Sequence, residues 1–421
     1  MKKKSIHLSL VIVVISLVTA CSGLGGTDEP VASDFGPGYS VQEHQHRTLD
    51  ALWGFLEENY IYFKSEDFNW DKLHEEYSSR IDEGLTDEEF NQLMHQLEGD
   101  LQDGAILFQS REERIASDVE DTSTYEGIGA FVGFQAQEVP HIVVLGVIAG
   151  SPAEKAGIRA HDSIFVIDGN PVLLEEGINV VKRVRGPAGS TVKLDIQTPG
   201  KSIRTIQVTR AQLISNGKLE ARQIDVGGAP VGYILLPPIS YDGMFDDVLA
   251  NLQKFTTNQK LEGLILDLRV AGSGRGWPLE DLLSLFFQGS AGEFYDSAGH
   301  KQSLILKGAD KFGSLSVPLV ILVGQNTSGF PEIFAGSLQA AKRADLVGEI
   351  TPGAIETTSG FYLPDGSRVY IETASFRLPN GEEIGTDGVK PEFLLEAGWD
   401  DVLPAADPVF EKAIELLKAD Q

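Results

Sequence analysis

Gly263-Leu264-Ile265-Leu266-Asp267-Leu268 and, further along, Pro318-Leu319-Val320-Ile321-Leu322-Val323 are near-continuous apolar runs of strand length, the pattern of strands buried on both faces of a sheet. From Val231 onward such runs alternate with helical ones, which makes this part of the chain a layered α/β body. Upstream, between about Tyr125 and Gln212, the runs are short and β-rich. His141 to Val147, Ser163 to Ile167 and Thr191 to Ile196 are broken by turns containing Gly, Pro and Asp, as strands of a small separate sheet would be. Upstream again, from His46 to about Phe108, the period is helical. Leu49, Leu52, Trp53, Leu56 and Tyr60 recur at spacings of three and four, and Thr86-Asp87-Glu88-Glu89 reads as a capping box ahead of Phe90, Leu93, Met94 and Leu97.

The whole chain is 421 residues with 42% hydrophobic side chains, enough for two or three packed domains. Its 62 acidic against 34 basic residues give a net charge of −28, a field that repels phosphate backbones and argues against nucleic-acid partners. The single cysteine, Cys21, excludes an intrachain disulfide and leaves too few thiols for a Cys-based zinc site. Met1-Lys2-Lys3-Lys4 followed by the apolar run Leu8 to Ala20 reads as an export signal too short to span a bilayer. Its end, Leu17-Val18-Thr19-Ala20-Cys21, resembles the bacterial lipobox, which implies lipidation of Cys21 and a membrane-anchored envelope protein. The expected organisation is therefore a signal peptide (1–20), a tether (21–45), a helical region (46–120), a β-rich domain (121–212) and an α/β core (213–421).

The β-rich segment carries a specific set of motifs. Tyr125-Glu126-Gly127-Ile128-Gly129-Ala130, Gly150-Ser151-Pro152-Ala153-Glu154-Lys155-Ala156-Gly157-Ile158, and Asp162-Ser163-Ile164 leading to Ile167-Asp168-Gly169 resemble a PDZ domain. That resemblance implies a groove that takes peptides or protein C-termini by β-augmentation, with the backbone N–H groups of Gly127, Ile128, Gly129 and Ala130 facing a terminal carboxylate. Val180, Val181 and Val184 are expected on the helix bordering that groove, with Ile128 and Val181 giving an apolar pocket. The net negative charge is expected to disfavour acidic peptides. His161 stands where the pattern usually has Gly.

From about Leu52 to Phe393 the chain resembles the C-terminal processing peptidases, or tail-specific proteases. Asn69-Trp70-Asp71, Leu264 to Arg269, Glu332-Ile333-Phe334-Ala335-Gly336, Gly348-Glu349-Ile350-Thr351-Pro352-Gly353 and Gly388-Val389-Lys390-Pro391 fall in the family's order. The resemblance implies a Ser nucleophile activated by a desolvated Lys base. Counting along the motifs puts Gly329 at the nucleophile position and Ala354 at the base position. The family's Asp-Gly-His reads Asp103-Gly104-Ala105, its Asn-Pro-Gly-Gly loop reads Val270-Ala271-Gly272-Ser273-Gly274, and a further Gln is Thr358. Losing hydroxyl and base together removes the acyl-enzyme route.

A displaced nucleophile at Ser328 would need a base such as His300, Lys301, Lys307 or Lys342, none at supporting spacing. Gly272-Ser273-Gly274-Arg275-Gly276 is too incomplete for a phosphate-cradling fingerprint, and Glu349 and Glu356 are expected to be structural. No metal or cofactor is called for. The expectation is a lipid-anchored pseudoenzyme that binds peptides or protein C-termini. Its alternatives are an active serine endopeptidase using Ser328 and a purely structural lipoprotein.

Overall fold

Leu264 and Leu266 face one side of a sheet and Ile265 the other, so a run that is apolar throughout in sequence is divided between two cores by the two-residue period of a strand. In this computed structural model, which describes residues 39–419 apart from 65–67, 102–104, 123–124, 137–138, 214–218, 274–275, 356 and 404, the sheet has the order Glu220–Val226, Ala229–Leu235, Gly263–Asp267, Leu319–Val323, Asp345–Gly348, Phe393–Leu394. The first pair is antiparallel and the rest run parallel. Every residue of the two central strands is buried. Helices Met244–Thr256, Leu279–Phe286 and Phe330–Ala340 cover one face, and Pro408–Ala419 covers the other through Val409, Ala413 and Leu417. Both faces of a parallel sheet must be covered in this way.

The β-rich segment forms a second sheet, ordered Ala130–Gln135, His141–Val147, Ser163–Ile167, Thr191–Gln197, Arg204–Thr209, around Ile128, Ile142, Ile164, Leu194 and Ile196. Strand Ala130–Gln135 lies at its edge. A 3₁₀ turn, Leu174–Val180, leads into the short helix Val181–Val184. Of the three valines expected to border a groove, Val180 and Val184 are buried in the core of this sheet; only Val181 faces outward. Ile128 is likewise buried, so its side chain belongs to the core and not to a pocket wall.

Two compact units emerge. The second contains the β-rich segment and the α/β core together, within Ile115–Thr358 and Glu372–Gln421. The first contains helix Val41–Asn59 as far as Glu57, with helices Trp70–Asp82 and Asp87–Asp100. The Thr86–Glu89 capping box is present, Glu89 N donating to Thr86 Oγ1 and Thr86 N to Glu89 Oε2. Two expectations are corrected here. Residues 41–45, assigned to the tether, are helical, because Ser40 and Glu43 form a reciprocal cap of their own (Ser40 N to Glu43 Oε2, 2.7 Å; Glu43 N to Ser40 Oγ, 3.2 Å) and Gln45 is buried with its amide on the Leu85 carbonyl. Ile106–Gln109, placed at the end of a helical stretch, is a strand paired antiparallel with Arg368–Ile371, and Ser359–Ile371 accordingly joins the first unit. Cys21 and the export signal, Asp103, Gly104, Gly274, Arg275 and Glu356 lie outside the described residues.

Candidate functional site

The loop Gly324–Gly329 carries the chain from the central strand Leu319–Val323 into helix Phe330–Ala340, beyond the carboxyl end of a parallel strand, where open α/β sheets place their sites. Thr327 pins it. Its buried hydroxyl donates to the Leu268 carbonyl (2.8 Å) and accepts from Gly324 N (2.9 Å), and Ser328 N reaches the Ala271 carbonyl at 3.0 Å. Gly329 then turns sharply, with φ 72° and ψ −129°, a conformation that favours glycine. Its N–H donates to Glu332 Oε2 (2.9 Å).

Glu332 is fully buried. Its other oxygen accepts from Thr351 Oγ1 (2.5 Å) and Gly353 N (2.7 Å). Burial pushes this carboxyl above the usual range, against the pull of those donors. Glu332 thus ties the turn at Gly329 to segment 351–353. A methyl group added at Gly329 would lie 3.6 Å from the Ala354 carbonyl oxygen, so the two positions reached by motif counting are neighbours in space. Ser328 has none of His300, Lys301, Lys307 or Lys342 hydrogen bonded to it among the described residues. His300 pairs with Asp296 at 2.8 Å and Lys301 with Glu293 at 2.7 Å. Thr358 sits exposed on strand Thr357–Tyr362. Glu349, half-buried behind the loop, is pushed up by burial. Among the described residues there is no cluster of three or more metal-ligating side chains.

A cavity of about 560 Å³ runs along edge strand Ala130–Gln135, walled by Phe131, Val132, Ile178 and Val181. Pro238 and Ile239, from the α/β core, complete the wall, and Lys182 and Arg185 stand at the rim. Ile178 and Ile239 are both more than half exposed. Directly before Ala130, the N–H groups of Ile128 and Gly129 have no hydrogen-bond partner among the described residues, whereas their carbonyls accept from Ala153 N (2.8 Å) and Ile148 N (2.9 Å). Gly129 has φ 84°, and a methyl group there would overlap Ser151 Cβ. Gly127 is the last residue of a short strand pairing with Ala211.

The β-rich segment and the α/β core meet at Trp399. His161 stacks on its indole (centroids 3.9 Å apart, planes at 21°) and bonds through Nδ1 to the Trp399 carbonyl at 2.5 Å; the indole N–H donates to the Val144 carbonyl (3.1 Å). His161 has φ 75°, which explains the Gly usual at this position. The strained backbone here is offset by the stack. Burial pushes the His161 imidazole below its ordinary pKa. Next to it, Asp400 Oδ2 lies 2.7 Å from both His141 Nε2 and Ser163 Oγ. Val270, from the loop that follows Leu268-Arg269, packs with Trp399, Val143 and Leu145. Arg269 is bidentate to Asp267 (Nε to Oδ1 3.0 Å, Nη2 to Oδ2 2.7 Å), with Asp407 at 2.7 Å from Nη1. These carboxylates keep it charged despite burial.

Sequence reading missed Glu332, Ser273, Trp399, Asp400 and Ile239 as site-building residues. Ser273 had a local signal, a side chain where the resemblance calls for Gly, and Glu332 appeared only as a letter of a motif; the others had none.

Comparison with known proteins agrees with this architecture. The profile of Peptidase family S41 matches residues 230–395, that of the PDZ domain residues 143–198, and that of the Tricorn protease C1 domain residues 42–99. A carboxyl-terminal-processing protease of Synechocystis sp. is 29% identical over 392 residues, covering 89% of this chain and 87% of the relative. One from Picosynechococcus sp. is 33% identical over 314 residues, covering 69% and 70%. The solved structure of a photosystem II D1 C-terminal processing protease shares the fold, with a TM-score of 0.66 at 24% identity over 89% of this chain and 97% of that one. The chain therefore belongs to the carboxyl-terminal-processing protease family of serine peptidases and carries the family's PDZ domain.

Proposed function

We propose that this protein is a catalytically silent member of its family that binds peptides or protein C-termini through the PDZ groove, as an exported lipoprotein of the bacterial envelope. The observation that carries the binding role is the open groove beside edge strand Ala130–Gln135, with two consecutive unpaired N–H groups, Ile128 and Gly129, directly before it. An extended peptide would add to the strand while those donors take its terminal carboxylate. The silence rests on Gly329 and Ala354 lying side by side where a hydroxyl and an amine would have to meet. Ser328 does not replace them in this reading, since no base is bonded to it among the described residues. In this reading residues 1–20 are removed on export, Cys21 carries the acyl chains, and the PDZ domain spans 121–212 between the helical region and the core.

The apolar walls favour an apolar C-terminal residue. Lys182 lines the groove and sets a local preference against the one expected from net charge, since it would stand within a Debye length of a bound peptide. Acidic residues upstream of the terminus are favoured, and the preference weakens as salt rises. Titration of the soluble body with matched free-acid and C-terminally amidated peptides tests the reading. The acid form should bind about tenfold or more tightly, the scale of a hydrogen bond to a charged group. Equal affinities would leave the PDZ fold a purely structural role.

A further inference from the structure

Ser273 is one residue past Gly272 in the loop that follows Asp267-Leu268-Arg269, where the family resemblance calls for a second glycine. A methyl group added at Gly329 would overlap Ser273 Oγ and lie 2.8 Å from Ser273 Cβ. The Ser273 hydroxyl thus stands in the volume that a side chain on residue 329 would need. It accepts from Phe330 N at 2.5 Å and lies 3.5 Å from the Ser328 carbonyl oxygen. Phe330 N–H is the first donor of helix Phe330–Ala340, the group next to the turn that would otherwise face a developing oxyanion.

The loop holds the hydroxyl there. Ser273 N donates to the Ser328 carbonyl (3.1 Å), Ser328 N to Ala271 O (3.0 Å) and Gly272 N to Pro238 O (3.2 Å). Among the described residues both contacts of the hydroxyl are to backbone and no base is bonded to it, so it reads as a filler, not a relocated nucleophile.

We propose that Ser273 closes the degenerate centre, occupying the missing nucleophile's place and taking its helix N–H, so that three positions and not two keep the site silent. This rests on the silent-member reading and adds a residue to it. Returning the two lost groups would then fail while Ser273 remains.

The experiment compares the soluble body of the wild type, of Gly329→Ser/Ala354→Lys, and of the same pair with Ser273→Gly, by labelling with a fluorophosphonate. The wild type should not label, and the triple variant should label roughly a hundredfold faster than the double, the scale of one oxyanion donor. Double and triple variants labelling at the same rate would overturn the role of Ser273 alone; labelling of the wild type would overturn the silent-member reading itself. A thermal cycle decides the matter where neither variant labels. Gly329→Ala should lower Tm by about 2 °C or more beyond what it does in a Ser273→Gly background. Equal losses in both backgrounds would refute the proposal.

Discussion

Glu332 has no accessible surface, yet it receives hydrogen bonds from three donors on two segments: Gly329 N, Thr351 Oγ1 and Gly353 N. Removing it strands all of them in a dry interior. Glu332→Ala should therefore cost about 3 kcal/mol in denaturant unfolding, and Glu332→Gln, which keeps one acceptor oxygen, about half as much. A carboxyl whose folded pKa is raised binds its proton more tightly in the fold. Stability linked to it is present below the ordinary carboxylate range and declines as pH rises through the raised value; Glu332→Gln should flatten that slope. Denaturation curves from pH 4 to 8 measure both effects. Gly329 and Ala354 were reached by motif counting, which works because spacing survives when side chains change, and the fold makes them neighbours. Glu332 was legible only as a motif letter, since its partners come from a segment across the fold. Ile128 misled for the converse reason: its N–H is unpaired among the described residues while its side chain lies in the core, and a string of letters does not separate the two.

At the level of elements, the turn Trp399-Asp400 fastens the PDZ sheet to the α/β sheet. Burial alone would lower the His141 pKa, but Asp400, the Val139 carbonyl and Asp401 together raise it. Phe165 packs against the ring at 4.9 Å. The stability gained from protonated His141 is complete below about pH 6.5 and fades as pH rises through the raised value. Asp400, held low by His141 and Ser163 despite its burial, stays ionised across that range. Asp400→Asn should cost about 2 kcal/mol at pH 5.5 and clearly less at pH 8.5; a gap between variant and wild type that is constant with pH would refute the charged pair. The capping box at Thr86 was read correctly and the one at Ser40 was not, although both obey one rule. The difference is context: Ser40–Glu43 follows a Gly- and Pro-rich stretch, and the tether composition hid the cap.

For the whole molecule, the apolar periods located the α/β sheet, the PDZ sheet and the N-terminal helices, but not the return of Ser359–Ile371 to the first unit. A strand paired with Ile106–Gln109 across that separation leaves no local trace. The anchor belongs to this scale too. Cys21→Ser should abolish acylation and leave an unprocessed or released protein, checked by fractionating membranes and following precursor size; unchanged processing and retention would refute lipidation. In the proposed reading a body this acidic would be held by its acyl chains and not by attraction to anionic headgroups. The stack at the junction has an optical consequence. Trp399 is one of four tryptophans, and it lies face to face with an imidazole. A protonated imidazole accepts an electron from excited indole far better than a neutral one. The emission of Trp399, isolated by subtracting the spectrum of a Trp399→Phe variant, makes the junction an unlabelled reporter: bright while His161 is neutral and the two sheets are joined, and quenched when acid charges that ring.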